Sequence, residues 1–156
     1  MHRQKMCILA LVMKMKTSKE ILTSLLKTAQ MGQLGIRSAL DATMGPSLRA
    51  ALESQLREYD TIETEAHSLA TARGWEMDEL DPAVRMMTDW MIQLRLNGRQ
   101  TDSKIADMMI QGNTKGMIKG LKNLHQSAQL DQQIQILSQK LLDCERANIR
   151  QMQPFL

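Results

Sequence analysis

Rings and chain-breaking residues are scarce. Among 156 residues only Tyr59, Trp75, Trp90 and Phe155 are aromatic, and prolines number three. Sandwiches and barrels draw on aromatic and β-branched side chains and on frequent turn residues, so this poverty points away from them and toward helices. Two cysteines, Cys7 and Cys144, are too few for a disulfide framework and fit a reducing, cytoplasmic setting. No stretch approaches the ~20 consecutive apolar residues of a membrane span, so no membrane partner is expected. A glycine-rich phosphate loop after a strand is missing, as is any spacing that assembles nucleophile, base and orienting acid, so the expectation is no catalytic residue and no enzyme.

What the chain does have is aliphatic. Hydrophobic residues make up 43% of it and methionine alone contributes fourteen, enough for a single core in a single domain. The formal charge of +3 invites a nucleic-acid reading until it is counted by segment. Residues 1–19 hold five bases and no acid, leaving the other 137 residues at −2. With neither a basic face nor aromatics interleaved with Lys and Arg, no nucleic-acid partner is expected. Within the body, residues 46–89 carry −6 and residues 90–156 carry +4, a difference that helps neighbouring elements or subunits dock.

The apolar run Met6 to Val12 sits between basic residues like the hydrophobic part of a signal peptide, but it is short and no small-x-small cleavage pattern follows. Residues 1–16 therefore read as a disordered extension or as the product of a start site placed too early, with residues 17–156 as the domain.

Hydrophobic spacing divides that domain into helices. Thr17 or Ser18 opens the first, whose stripe of Ile21, Leu22, Leu25, Leu26, Ala29, Gly32, Ile36, Ala39 and Leu40 ends at Met44-Gly45-Pro46. Ser47 caps a second that runs to about Arg73 and buries Leu48, Leu52, Leu56, Tyr59, Ile62, Ala66 and Leu69. An acidic, aperiodic stretch WEMDELDP then leads into a shorter helix over 82–96, capped by Asp81 and carrying Val84, Met87, Trp90, Met91 and Leu94, an apolar face expected in the core. Thr101 or Asp102 caps a long helix to about Ser127, and Asp131 opens the last, to about Met152, with Leu130, Ile134, Leu137, Leu141, Cys144 and Asn148 as its seam. The short turn between the first two helices makes them an antiparallel hairpin. The nearly thirty-residue link that follows is long enough to run the length of a bundle.

In helix order, in the position of that crossover and in the stretches LREYDTIETEAHSLA and LSQKLLDCERANIRQM, the chain resembles the ferritin-like superfamily, most closely its small bacterial branches, over about residues 17–154. The resemblance implies an all-α, ferritin-like four-helix bundle whose crossover contains a short fifth helix. It also implies where a di-iron site would sit: a Glu on each of two helices and Glu-x-x-His on each of the other two. Residue by residue, that set is mostly missing. Glu63 is followed at the third position by Ala66, with His67 one step and about 100° further round. Glu145 is followed at the same spacing by Asn148, the first helix offers Gln30 and Gln33, and residues 103–127 contain no Glu. Relatives without metal ligands act by association, which the resemblance extends to this chain as a homo-oligomer or a binder of another protein.

Four residues remain as candidate metal ligands: Glu63, His67, Glu145 and Asn148. Together with Tyr59 and Asn113 they admit three readings, namely carboxylates solvated at the core boundary, an internal polar network, or a site for a single divalent metal, with no cofactor as the main expectation. Cys144 reads as a small buried hydrophobe rather than a reactive thiol. Met86, Met87 and Trp90 form a candidate interaction surface, because adjacent methionines cannot both face one narrow stripe. Gly112, Gly116 and Gly120, four residues apart, each cost roughly 0.5–1 kcal/mol against Ala in a helix and so call for a reason. Close helix packing is one, with Gly32 and Gly35 as a matching surface; a helix that opens for a ligand is the other. The functional expectation is a non-enzymatic bundle acting by association, against the alternative of a metal-binding or redox protein.

Overall fold

A computed structural model describes residues 3–6, 15–95, 101–127 and 129–156 of the chain, the side chains of Trp90 and Leu94 lying outside it. The described residues are all-helical, with α1 at Ser18–Leu40, α2 at Pro46–Ala72, α3 at Pro82–Arg95, α4 at Asp102–His125 and α5 at Gln132–Met152. A 3-10 turn, Gln153–Phe155, closes the chain.

Hydroxyl and carboxylate caps start these helices where expected. Thr17 Oγ1 accepts from the Glu20 amide, Thr101 Oγ1 from Lys104, and Asp131 Oδ1 from Gln133 and Ile134. The second start differs: Gly45, not Ser47, is the cap residue and Pro46 occupies the first turn, where its missing N–H would have had no partner. The first end differs too. α1 stops at Leu40, and the Arg49 guanidinium takes up the free carbonyls of Leu40 and Ala42 at 3.0 and 3.2 Å. Gly74, at φ 64°, supplies the left-handed exit from α2.

End contacts define the topology. Lys16, just before α1, donates its amide to the Gln126 carbonyl at the end of α4, so α1 and α4 run antiparallel. That bond also places residue 16 with the domain rather than with an N-terminal extension, while residues 7–14 lie outside the described part of the chain. Asp102 at the start of α4 accepts from the Gly45 amide at the start of α2, and Arg73 at the end of α2 meets Asp131 at the start of α5 at 2.7 Å. Around the bundle the order is α1, α2, α5, α4, each helix antiparallel to both neighbours. The link from α2 to α4 must therefore travel the bundle's length, and it does so along α1. Thr23 meets Met77, the Gln30 side chain accepts from the Leu80 amide, and Ser38 donates to Asp89.

The core is aliphatic, as composition required. Ile21, Leu22, Leu26, Ile36, Leu48, Leu52, Ile62, Ile105 and Ile134 are fully buried. α3 departs from expectation. Its polar residues Asp89 and Gln93 bond to Ser38 of α1, while Val84, Met87 and Met91, expected in the core, stand in solvent. Three bundle helices already enclose α1, so the segment that crosses it docks on its rim through these hydrogen bonds and a few partly buried apolar residues, Trp75, Met77 and Ile92, that pack against the core.

Candidate functional site

Halfway along the bundle the core turns polar. The Tyr59 hydroxyl donates to Asn113 Oδ1 at 2.8 Å, Asn148 Nδ2 donates to the same oxygen at 3.3 Å, and Asn113 Nδ2 donates to the Met109 carbonyl at 2.8 Å. Beside them lies Glu145, 1% exposed, whose Oε2 has no hydrogen-bond partner among the described residues. Burial alone pushes this carboxyl up to about 8. Burial likewise holds the Tyr59 phenol well above its ordinary value, with the Glu145 charge adding to the effect.

Two glycines make room for these groups. A Cβ at Gly32 would stand 2.5 Å from the Tyr59 ring, and one at Gly116 would stand 2.5 Å from both Glu145 oxygens. The ring and the carboxyl are therefore seated directly against the backbones of α1 and α4. Gly120 approaches Leu142 of α5 in the same way, at 3.1 Å, but among the described residues nothing lies within 4 Å of a Cβ at Gly112. Close packing thus accounts for two of the three glycines. Residues four apart on a helix drift by about 40°, so Gly112 is turned some 80° from Gly120 and leaves the α5 seam.

Gly112 faces a cavity of about 360 Å³ between α1, α3 and α4. Gly32, Gly35, Met31, Leu80, Ile92, Met108 and Met109 line its walls, and Tyr59, Asn113 and Glu145 supply its polar groups. Lys27, Arg95, Lys115 and Lys119 also line it, and partial burial with the charges of Lys16 and Lys27 lowers the Lys119 ammonium from its ordinary value. No protein-family model, curated protein or solved structure matches this chain. Its own geometry is what speaks for it.

The four candidate metal ligands are not brought together. Across α2 and α5, Gln55 pairs with Gln151, Glu58 with Cys144, and Glu65 with Lys140, so Glu145 is level with Tyr59. Glu63 lies four residues further along α2 and His67 eight, about 6 and 12 Å of helical rise away. His67 instead faces Glu79 of the crossover at 3.6 Å. Glu145, read from sequence chiefly as a solvated boundary residue, is interior, whereas Glu63 is half-buried. One interior carboxylate, a phenol and two amides do not fit a pair of iron ions, and the Asn113 oxygen is already used twice. Among the described residues no group of three or more His, Cys, Asp or Glu is placed to hold a metal ion.

Cys144 is buried, and its thiol donates to Glu58 Oε2 at 3.2 Å. Burial and that carboxylate push it up to about 12, which makes it an inert thiol. Sequence reasoning missed the cavity. Its four glycines, Gly32, Gly35, Gly112 and Gly116, are visible as residues, but no spacing rule shows that α3 stands off from α4 and leaves a gap. Of the candidate interaction surface, Met86 and Met87 are both exposed, at 76% and 65%; the Trp90 side chain lies outside the described residues.

Proposed function

We propose that this chain is a non-enzymatic helical-bundle protein of ferritin-like shape that works by associating with a second copy of itself through the outer face of α3. The ferritin-like part rests on two antiparallel hairpins joined by a link that spans the bundle, with every neighbouring pair antiparallel. The association part rests on one observation. α3 turns Asp89, Gln93 and Ile92 to the bundle and leaves four apolar side chains, Val84, Met86, Met87 and Met91, in solvent, an exposed apolar face that suits a further partner.

A second copy suits this face because α3, with Arg85, Asp89 and Arg95, carries a net charge of only +1, which keeps like-charge repulsion small when two such helices meet about a two-fold axis. Burying the four side chains of each copy, eight in all and already partly covered, contributes roughly 7–14 kcal/mol, comparable with the roughly 4–15 kcal/mol that association costs, so a weak, concentration-dependent dimer follows. No helix among the described residues is long and apolar enough to cross a membrane, and the free Cys144 fits a cytoplasmic setting.

Sedimentation equilibrium up to several hundred micromolar tests the reading. A dimer that the pair Met86→Asp and Met87→Asp converts to monomer, with unchanged circular dichroism, supports it; a monomer throughout refutes it. The alternative of a single divalent ion has the free Glu145 oxygen in its favour. Stoichiometric metal in protein purified without chelators, lost in Glu145→Gln, would put that reading first.

A further inference from the structure

We propose that the cavity between α1, α3 and α4 binds a small amphiphile that places a primary ammonium on Glu145, an aliphatic body along the methionine wall and an anionic group among the lysines. Each part of that ligand answers an observation. The inner group suits a cation, because Glu145 lines the cavity and its buried Oε2 has no hydrogen-bond partner among the described residues. Leaving a buried polar atom unpaired is costly, and a ligand that supplies the missing donor recovers that cost on binding.

An aliphatic middle follows from Met31, Leu80, Ile92 and Met108, together with the bare backbones of Gly35 and Gly112, against which a chain can lie with no Cβ in the way. The anionic outer end follows from Lys27, Arg95, Lys115 and Lys119, of which all but Lys27 are exposed residues, so they sit on the solvent side. A simple fatty acid satisfies the lysines but sets its methyl end against Glu145; a simple alkylammonium satisfies Glu145 but brings no charge to the lysines. Only a ligand with both ends meets both conditions. The volume of about 360 Å³ lies in the range of small-molecule sites. Burial holds Glu145 protonated near neutrality; when an ammonium enters, the acid releases that proton to solvent and the resulting carboxylate gains the partner it lacks.

Isothermal titration of the full chain in EDTA-containing buffer, with 8-aminooctanoate, octanoate and octylammonium as probes, tests this. The expected result is saturable one-to-one binding of 8-aminooctanoate, roughly tenfold tighter than either single-ended probe, as one charge-assisted contact implies. Glu145→Gln keeps the shape and brings 8-aminooctanoate down to the affinity of octanoate. Gly35→Leu, which builds into the cavity and favours the helix, removes binding while leaving circular dichroism unchanged and the urea midpoint unchanged or raised. Equal affinity for all three probes, or binding unchanged in either variant, would overturn the proposal.

Discussion

Glu145→Gln isolates the energetic consequence of the buried carboxyl. In the unfolded chain the group ionises near 4.5, whereas in the folded bundle burial holds it at about 8. Below the lower value it is neutral in both states and contributes no pH dependence. Above it the unfolded chain releases the proton and the native state keeps it, so stability falls as pH rises and levels off only beyond about 8. At about 1.4 kcal/mol per pH unit, the loss between pH 5 and pH 8 amounts to about 3 to 4 kcal/mol. The glutamine variant has the same shape and no proton to release, so this part of the slope disappears. Urea denaturation followed by circular dichroism at both pH values measures it, and subtracting variant from wild type cancels the titrations common to both. Neither Cys144, at about 12, nor the Tyr59 phenol titrates in the window. Parallel pH profiles for the two proteins would mean that Glu145 is solvated or partnered in the folded state, and the argument from burial would fail.

Three further outcomes follow from the same geometry. Gly32→Ala drives a methyl into the Tyr59 ring and should lower stability by about 1–3 kcal/mol, whereas Gly35→Ala, one turn on and facing open space, should be neutral or raise it by up to about 1 kcal/mol; equal urea midpoints for the two variants would contradict the close approach. Cys144 should resist Ellman's reagent at pH 8 in the native protein and react at once in denaturant, since its thiol is buried and bonded to Glu58. Asp131→Ala removes the α5 cap and the partner of Arg73 together and should cost about 1–2 kcal/mol, read as a lower melting temperature; because Arg73 and the capped amides hold the Asp131 carboxyl below its ordinary value, that contribution should be present at neutral pH and be lost only as pH falls through the depressed value.

Particular residues show where sequence reasoning reached and where it stopped. Thr17, Thr101 and Asp131 cap their helices because capping is local, needing only a side-chain oxygen two or three residues before a free amide. The stripes of α1, α2 and α5 are legible because helical periodicity places their apolar residues on one face. Tyr59, Glu63, Asn113, Glu145 and Asn148 group as candidates for one polar layer from their positions along the helices, and all but Glu63 share a level. Whether Glu145 reached solvent or not was invisible, since the outcome depends on Gly116 of another helix leaving space for its carboxyl. The crossover helix was misread for a related reason: periodicity identifies the apolar face of α3 but not which side α1 has left available.

The aliphatic composition, the caps and the 3.6-residue periodicity thus determined, without any tertiary information, an all-α chain of four long helices and a shorter crossover helix. Those are properties of residues within about one helical turn of each other. The α2 to α5 register, the outward apolar face of α3, the burial of Glu145 and the cavity beside Gly112 were decided only by tertiary structure. Each depends on how far apart two helices stand and how they are rotated, and that is set by the combined volume of side chains distant in sequence.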